Sequence, residues 1–309
     1  MKTTGAYASR MKAIAVLCLS ALLVSACRER STETATETPS AGVAAHRTEI
    51  AQWQERRAER LKAEDGWLSL IGLFWLNEGD NVISLPSAGS PTVKLVRRGD
   101  AVVLEPAATM MIDGKPVANP TELRNDAHEA GPTVVQMGSV RFQVLKRGDR
   151  YGLRVKDAQA PTRTNFQGLD YFPTEPKWRV EARLVPYQPV KKIPITDVTG
   201  MTSENIAPGA LVFTVDGKEY RIDPVLEEGS DELFLIFKDE TSKHETYQPG
   251  RYLYAPMPGP DGKTVIDFNK AYNPPCAFTP FATCPLPPAQ NRLPIRIEAG
   301  EKRYSGEHA

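Results

Sequence analysis

Residues 246–268 read TYQPGRYLYAPMPGPDGKTVIDF, and the rest of the chain can be interpreted from this stretch. Two runs of alternating side chains, RYLYAPM and TVIDF, flank the dipeptide Asp261-Gly262. Alternation with a period of two is typical of strands, and Asp-Gly between two such runs is typical of a tight hairpin turn. The stretch therefore predicts a pair of antiparallel strands. A proline-rich segment follows it as far as residue 296.

Similar strand-like runs occur on both sides of this hairpin. Those before residue 158 are NVISL, TVKLV, AVVLE, TMMID, TVVQM, RFQVL and GLRVK. Those after it are VEARLVPY, KKIPITDV, ALVFTVD, EYRIDPV, ELFLIFKD, RYLYAPM, TVIDFN and LPIRIEA. Short runs separated by Gly and Asp turns every eight to twelve residues or so predict an antiparallel sandwich for the first group. The second group predicts a closed or nearly closed antiparallel barrel, or a curved sheet.

One helix is predicted ahead of the strands, over residues 45–64. Charged residues alternate there with apolar or long side chains that recur at spacings of three and four. The recurring residues are Ile50, Trp53, Arg57 and Leu61. Gly66 ends the pattern, and residues 67–76 are so apolar that we expect them to fill the core. The predicted fold is therefore mainly β: an N-terminal helix, a sandwich-like half and a barrel-like half.

The first 27 residues have the pattern of a bacterial lipoprotein signal peptide. Basic residues precede an apolar run over 13–24 that is shorter than the roughly 20 residues of a membrane span. Residues 24–27, VSAC, resemble a lipobox, in which Cys27 would be acylated. Met11 would serve as an alternative start. By resemblance to Gram-negative lipoproteins, Arg28 after the cysteine favours an outer-membrane location facing the periplasm.

The remaining chain divides into three predicted segments. Residues 28–45 are small and polar, which is typical of a flexible tether. Residues 46–158 would form the helix and the sandwich, and residues 159–305 the barrel-like region, although 46–305 could be one continuous unit. The 38 basic and 38 acidic residues balance, so no net charge favours binding to nucleic acid. The lipid on Cys27 would make the membrane a partner.

Cys276 and Cys284 are the cysteines that remain in the predicted mature chain. Two cysteines close in sequence, in an oxidising compartment, predict a disulfide within the proline-rich segment. Free thiols and a metal site are the alternatives. A metal would need further ligands, and the chain has four histidines, so we predict no metal site.

Several longer motifs resemble the DUF1684 family, a bacterial and archaeal domain of unknown function. They are GLFWLNEGDN; YGLRVKD followed by Arg163, Phe166, Gly168 and YFP; IFKDETSKHETYQPGRYL; and DFNKAYNPPCAF with ATCPLPPAQNRL. The resemblance extends from about Ile50 to Tyr304. It implies a single structural unit. It implies no activity, cofactor or catalytic residue.

Familiar catalytic motifs do not occur in the sequence. It contains no GxGxxG opening a helix, no P-loop, no GxSxG and no HExxH. His46 lies at the tether junction and His308 near the C-terminus, so neither is a candidate. We expect His128 and His244 to be solvated loop residues. No cofactor is indicated.

Carboxylates and amides of the C-terminal half are the better site candidates. Asp267 and Asn269 share one face of the predicted strand, and Arg251 from the preceding strand could join them inside the barrel. A structural ion pair is the alternative. Further candidates for ligand binding are Asn273, Tyr247, Arg163 and Asn291.

Three functions are compatible with this pattern. The first is binding of a small or extended ligand in a β-lined pocket of polar and aromatic side chains. The second is an envelope hydrolase-type enzyme in which Asp267 acts with Arg251. The third is a structural envelope scaffold without a pocket. Whether the protein is an enzyme, and what its ligand is, stay open at this stage.

Overall fold

A computed structural model of the protein describes residues 41–306, which form mainly antiparallel β-structure behind one N-terminal helix. The described residues belong to one compact unit that spans residues 39–309. The predicted signal peptide, Cys27, residues 28–40 of the predicted tether and His308 lie outside the described residues. Over residues 41–306, no helix has both the length and the apolar character needed to cross a membrane.

The helices and strands occur in the following order along the chain. Helix α1 spans Ala41–Lys62, and the short helix α2 spans Pro161–Thr164. The strands are β1 (Leu70–Trp75), β2 (Gly79–Ser84), β3 (Thr92–Arg98), β4 (Ala101–Glu105), β5 (Met111–Ile112), β6 (Lys115–Pro116), β7 (Thr121–Glu122), β8 (Val135–Met137), β9 (Val140–Arg147), β10 (Arg150–Asp157), β11 (Arg179–Thr196), β12 (Thr202–Val215), β13 (Lys218–Ile222), β14 (Val225–Leu226), β15 (Glu232–Phe237), β16 (Arg251–Pro256) and β17 (Lys263–Asp267).

Helix α1 begins at Ala41, earlier than predicted, so residues 41–45 are helical rather than part of a tether. Its apolar stripe is as predicted, because Ile50 and Leu61 are buried. After the helix the chain turns at Gly66, where a Cβ atom would collide with the carbonyl group of Leu61. Glycine allows this close backbone approach.

The predicted sandwich is confirmed, and its two sheets have the strand orders β1-β10-β9-β8-β5-β6 and β2-β3-β4-β7. Val93 and Leu95 from one sheet pack with Phe142 and Leu153 from the other in a single buried cluster. Residues 67–76 fill the core as expected, and none of them is exposed; most of them form the edge strand β1. Both faces of β1 contact apolar side chains, and a strand covered on both faces reads as a continuous apolar run.

The barrel-like half is a sheet with the strand order β16-β15-β14-β12-β11-β17, to which β13 is added by pairing with β12. The sheet is nearly closed, and its two end strands meet where the Thr264 hydroxyl donates to the Pro256 carbonyl at 2.7 Å. Its core contains the aromatic residues Phe213, Phe237 and Phe268. The predicted strands VEARLVPY and KKIPITDV are parts of the single long strand β11.

The last predicted strand, residues 293–299, is wrong: this segment has no strand conformation. Its alternating apolar side chains are nevertheless buried in the barrel core, including Leu293 and Ile297. The backbone N–H of Leu293 donates to the Lys238 carbonyl at 2.7 Å, and that of Ile297 donates to Asp239 Oδ2 at 2.8 Å. The segment is therefore held by loop and side-chain acceptors instead of a strand ladder.

A buried ion pair holds this C-terminal segment against the barrel. The side chain of Arg251 is 0% exposed, and its Nη2 atom donates to Asp239 Oδ1 at 3.1 Å and to the Ile297 carbonyl at 3.0 Å. Its Nη1 atom donates to the Ala299 carbonyl. Burial lowers the pKa of Arg251, and the charge of Asp239 opposes this shift. Arg251 therefore connects β16, the loop after β15 and the C-terminal segment.

Arg251→Met tests the structural importance of this pair. Removing one partner leaves the Asp239 carboxylate buried without its countercharge, so we expect a loss of about 3–5 kcal/mol in the free energy of unfolding. Urea denaturation would measure it. Arg183→Met, at an exposed arginine of the barrel, is the control, and we expect it to change stability by no more than about 0.5 kcal/mol. Equal stability of the two variants would contradict this account.

Candidate functional site

A cleft of about 1010 Å³ lies between α1, the sandwich and the outer face of the barrel. The residues that line it come from many parts of the chain: Glu49, Trp53, Arg56, Arg57, Arg60, Trp67, Arg147, Arg154, Arg179, Glu227, Glu232, Phe234, Tyr252, Leu253, Tyr254, Pro256, Val265, Asp267, Lys270, Tyr272, Pro275, Ala282, Thr283, Cys284 and Pro285. Those of α1 recur at helical spacings and share one face of the helix. The cleft is therefore a product of tertiary packing and not of one local motif.

One wall of the cleft is aromatic. Alternation along β15 and β16 places Leu235 and Leu253 in the barrel core and Phe234 and Tyr254 in the cluster on the opposite face. The rings of Phe234 and Tyr254 stack with centroids 4.8 Å apart, and those of Tyr254 and Tyr272 with centroids 6.4 Å apart. Stacked rings at a cleft present a flat apolar surface to a ligand.

Two tyrosine hydroxyl groups of this wall donate hydrogen bonds to neighbouring residues. Tyr252 donates to the Pro285 carbonyl at 2.7 Å, and Tyr254 donates to a carboxylate oxygen of Glu227 at 2.7 Å. Burial raises the pKa of Tyr252, Tyr254 and Tyr272 above the ordinary tyrosine value. The aromatic wall is therefore uncharged at any physiological pH.

The charged lining of the cleft has an excess of cations, with seven basic and four acidic residues. Most of the basic residues are paired. Arg57 donates from Nε to Glu301 at 2.8 Å and from Nη2 to the Asn273 carbonyl at 2.9 Å. Arg147 lies 2.9 Å from a carboxylate oxygen of Asp126.

Arg179 and Lys270 both contact Glu49 of α1, at 3.3 and 2.6 Å. The hydrogen bond from Lys270 is the main cause of the lowered pKa of Glu49. This carboxylate therefore holds two of the basic residues that line the cleft.

Arg154 is different, because no side chain or carbonyl among residues 41–306 accepts a hydrogen bond from its guanidinium group. The residue is 8% exposed, and its Nε atom is buried without a partner. Burial, followed by the positive charge of Arg147, lowers the pKa of Arg154. The charge of Asp126 opposes this shift, but its carboxylate is bound by Arg147, so the cleft contains a buried cation without a hydrogen-bond acceptor in the described part of the chain.

Asp267 is the predicted site residue that does line the cleft, and its carboxylate is fully engaged. Oδ1 accepts from the backbone N–H and the side-chain amide of Asn269, at 3.1 and 2.9 Å. Oδ2 lies 2.7 Å from Nε2 of His46 and 3.6 Å from a guanidinium nitrogen of Arg179. A carboxylate with this many donors is a structural anchor.

His46 is the residue that sequence reasoning missed. It was set aside as part of the tether junction, but it is 9% exposed and belongs to α1. The available signal was its spacing, because His46 lies four residues before Ile50 on the same helical face. The predicted helix over residues 45–64 already contains His46, so what the prediction missed is the burial of this side chain and its partner Asp267.

The predicted constellation of Arg251 with Asp267 is wrong. Arg251 is paired with Asp239, and Asp267 with His46, Asn269 and Arg179. Arg251 does not line the cleft. Sequence alternation placed both residues correctly on their own strands, but it carried no information on which partner each side chain would meet across the fold.

Two further predicted site residues, Asn273 and Asn291, are buried and make structural hydrogen bonds. The Asn273 backbone N–H donates to Glu301 Oε2 at 2.7 Å, and its side-chain amide donates to the Lys302 carbonyl at 2.7 Å. The side-chain amide of Asn291 donates to the carbonyls of Asp223 and Ile236 at 2.8 and 3.0 Å. Neither lines the cleft, and both stabilise loops by satisfying buried backbone groups.

Tyr247 and Arg163 also lie outside the residues that line the cleft. The Tyr247 hydroxyl donates to the Cys276 carbonyl at 2.9 Å. Arg163 donates to the carbonyls of Lys62 and Ala158 at 2.8 and 2.7 Å, and so it satisfies a free carbonyl at the end of α1.

The proline-rich loop contributes to the cleft through Pro275 and residues 282–285. Cys276 and Cys284 lie side by side in it, with Cα atoms 6.2 Å apart, a separation that suits a disulfide. In the part of the chain that the structure describes, no group of three or more His, Cys, Asp and Glu side chains is placed to hold a metal ion.

A family model described as a protein of unknown function (DUF1684) matches residues 164–302. A solution NMR structure of an uncharacterised protein from Haloarcula marismortui is 30% identical in sequence, with a TM-score of 0.39, and the match covers 46% of this chain and 79% of that one. The chain belongs to the DUF1684 family. The family match covers the barrel-like half, and the wider likeness from residue 50 stays a prediction. No curated protein sequence matches the chain.

His46→Ala tests whether the contact with Asp267 anchors the start of α1. Loss of a buried hydrogen bond to a charged group leads us to expect a decrease of about 1.5–3 kcal/mol in the free energy of unfolding. Faster amide hydrogen exchange should accompany it in residues 41–50. His244→Ala, at an exposed histidine, is the control and should change neither quantity. Unchanged exchange in α1 of His46→Ala would show that other contacts hold the helix.

Proposed function

We propose that the protein binds a small or extended organic ligand in the cleft between α1, the sandwich and the barrel. The observation that carries the proposal is the stacked aromatic wall of Phe234, Tyr254 and Tyr272 on a cleft of about 1010 Å³. Ligand pockets of proteins reach about 1,000 Å³ and combine aromatic side chains with a few polar groups. The cleft meets both criteria.

The cleft supports binding better than the two other functions that the sequence left open. The hydrolase hypothesis depended on Arg251 acting with Asp267, and these residues have separate partners. Scaffolding would suit the buried roles of Asn273 and Asn291. A scaffold function does not explain the partly open aromatic surface of the cleft. Exposed apolar surface of this kind usually serves binding.

A fluorescent apolar amine, N-phenyl naphthylamine, is a suitable probe for the aromatic wall. We expect it to bind the chain from Arg28 onward with a dissociation constant on the order of micromolar. Tyr254→Ala should weaken binding about tenfold, because it removes the central ring of the stack. Tyr220→Ala is the matched control, since Tyr220 stacks on Phe213 and does not line the cleft. Equal binding by both variants would contradict the proposal.

We also propose that the protein is anchored to the cell envelope by a lipid on Cys27, at the outer membrane and facing the periplasm. The signal-like residues 1–27 and the following Arg28 support this location. The neighbouring Cys276 and Cys284 are consistent with an oxidising compartment.

Metabolic labelling with palmitate in a Gram-negative host tests the anchor. We expect the full chain to be labelled and to sediment with the outer membrane, and Cys27→Ser to lose the label and enter the soluble fraction. Cys18→Ser alters the other cysteine of residues 1–27 and should behave like the wild type. A wild-type chain without label would contradict lipidation.

A further inference from the structure

Arg154 reaches the cleft because of the alternation of β10. Tyr151, Leu153 and Val155 pack in the core of the sandwich, and Arg154 between them lies on the opposite face of the strand. That face borders the cleft, which Arg154 lines together with Trp67 and Arg147. The position of this arginine is therefore set by strand geometry.

The guanidinium group of Arg154 has no hydrogen-bond acceptor in the described chain, which is unusual for a buried charge. Desolvation of a cation is costly unless an acceptor or an anion compensates for it. The indole ring of Trp67 lies 5.4 Å from the guanidinium carbon and supplies a partial cation–π contact. It supplies no hydrogen-bond acceptor, so the planar set of guanidinium donors is left without partners in the described chain.

The surroundings of Arg154 are positive. The charge of Arg147 lowers the pKa of Arg154, and the carboxylate of Asp126 is already bound by Arg147 at 2.9 Å. Arg56 and Arg60, one helical turn apart on α1, also line the cleft; no residue between 41 and 306 pairs with either of them.

Two acidic residues of the cleft lining are satisfied instead, Glu227 by the Tyr254 hydroxyl and Asp267 by His46. Both carboxylates therefore have hydrogen-bond partners within the described chain. Among the charged lining residues, the side chains without a hydrogen-bond or ion-pair partner in residues 41–306 are mainly cationic: Arg56, Arg60, Arg154 and the exposed Glu232.

We propose that Arg154, supported by Arg147, binds the oxyanion of the ligand, a carboxylate or a phosphate. This inference rests on the proposed function, because the same ligand would place its apolar or aromatic part on the wall around Tyr254. A guanidinium group donates to two oxygens of such an anion at once. Trp67 orients the group for this contact, and Arg56 and Arg60 attract the anion to the opening.

A pair of related dyes separates the anion contact from the aromatic contact. Anilinonaphthalene sulfonate carries an aromatic system and an oxyanion, whereas N-phenyl naphthylamine has the same rings without the sulfonate. Both would be titrated into the folded chain from Arg28 onward, into Arg154→Met and into Tyr254→Ala. Arg150→Met is the matched control, because Arg150 lies on the same strand and stacks on Trp75 outside the cleft.

We expect Arg154→Met to weaken binding of the sulfonate about tenfold or more, since one charge-assisted contact is lost, and to leave binding of the neutral dye unchanged. Tyr254→Ala should weaken both dyes, and Arg150→Met neither. Displacement of the sulfonate by naphthoate or by naphthyl phosphate then distinguishes a carboxylate ligand from a phosphate ligand.

The thermal midpoint of unfolding gives an independent readout. Methionine replaces an unpaired buried charge by an apolar side chain of similar length, so Arg154→Met should unfold at the same temperature as the wild type or about 2–4 °C higher. A clearly lower midpoint would assign Arg154 a structural role and overturn the inference.

The two proposals fail in different ways. If both dyes bind and depend on Tyr254 but Arg154→Met leaves the sulfonate unaffected, the oxyanion site is overturned and the proposed function survives. If neither dye binds the wild type, or if Tyr254→Ala changes neither, the proposed function is overturned and the oxyanion site with it.

Discussion

The buried contact between Arg57 and Glu301 is the interaction on which the architecture of the cleft depends. Glu301 accepts from Arg57 with one carboxylate oxygen and from the Asn273 backbone N–H with the other, so one buried anion joins α1, the start of the proline-rich loop and the C-terminal segment. An isolated helix would be marginal in water. The contact with Glu301 holds α1 in place, and residues of α1 then form one side of the cleft.

The other polar contacts extend this arrangement along the helix. His46 with Asp267, and Glu49 with Lys270 and Arg179, attach the first half of α1 to the end of the barrel. Each of these charges is paired, as buried and half-buried charges of folded proteins usually are. Arg154 contrasts with them, because the described chain gives these charges partners and gives the guanidinium group of Arg154 no acceptor.

Local features of the fold were predictable from the sequence because they depend on neighbouring residues. The period of two in the strands and the apolar stripe of α1 are short-range patterns. The predicted hairpin at Asp261-Gly262 is wrong in its pairing, because β16 pairs with β15 and β17 pairs with β11, at opposite ends of the strand order. Segment 293–299 shows the limit of such patterns. Its apolar side chains alternate because every second one is buried against the barrel. Its backbone N–H groups donate to Lys238 and Asp239. Alternation alone cannot distinguish these acceptors from those of a neighbouring strand.

The candidate site was predictable only in part, for the same reason. The sequence by itself determined the class of fold, the faces of β16 and β17, and the concentration of polar residues after residue 246. Only the tertiary structure decided that Arg251 meets Asp239, that Asp267 meets His46, and that Arg154 from the sandwich borders the same cleft as Tyr254 from the barrel. Strand alternation specifies the side of a sheet on which a residue lies. The groups across from it come from elements distant in sequence, and their identity depends on how the helix and the two β halves pack together.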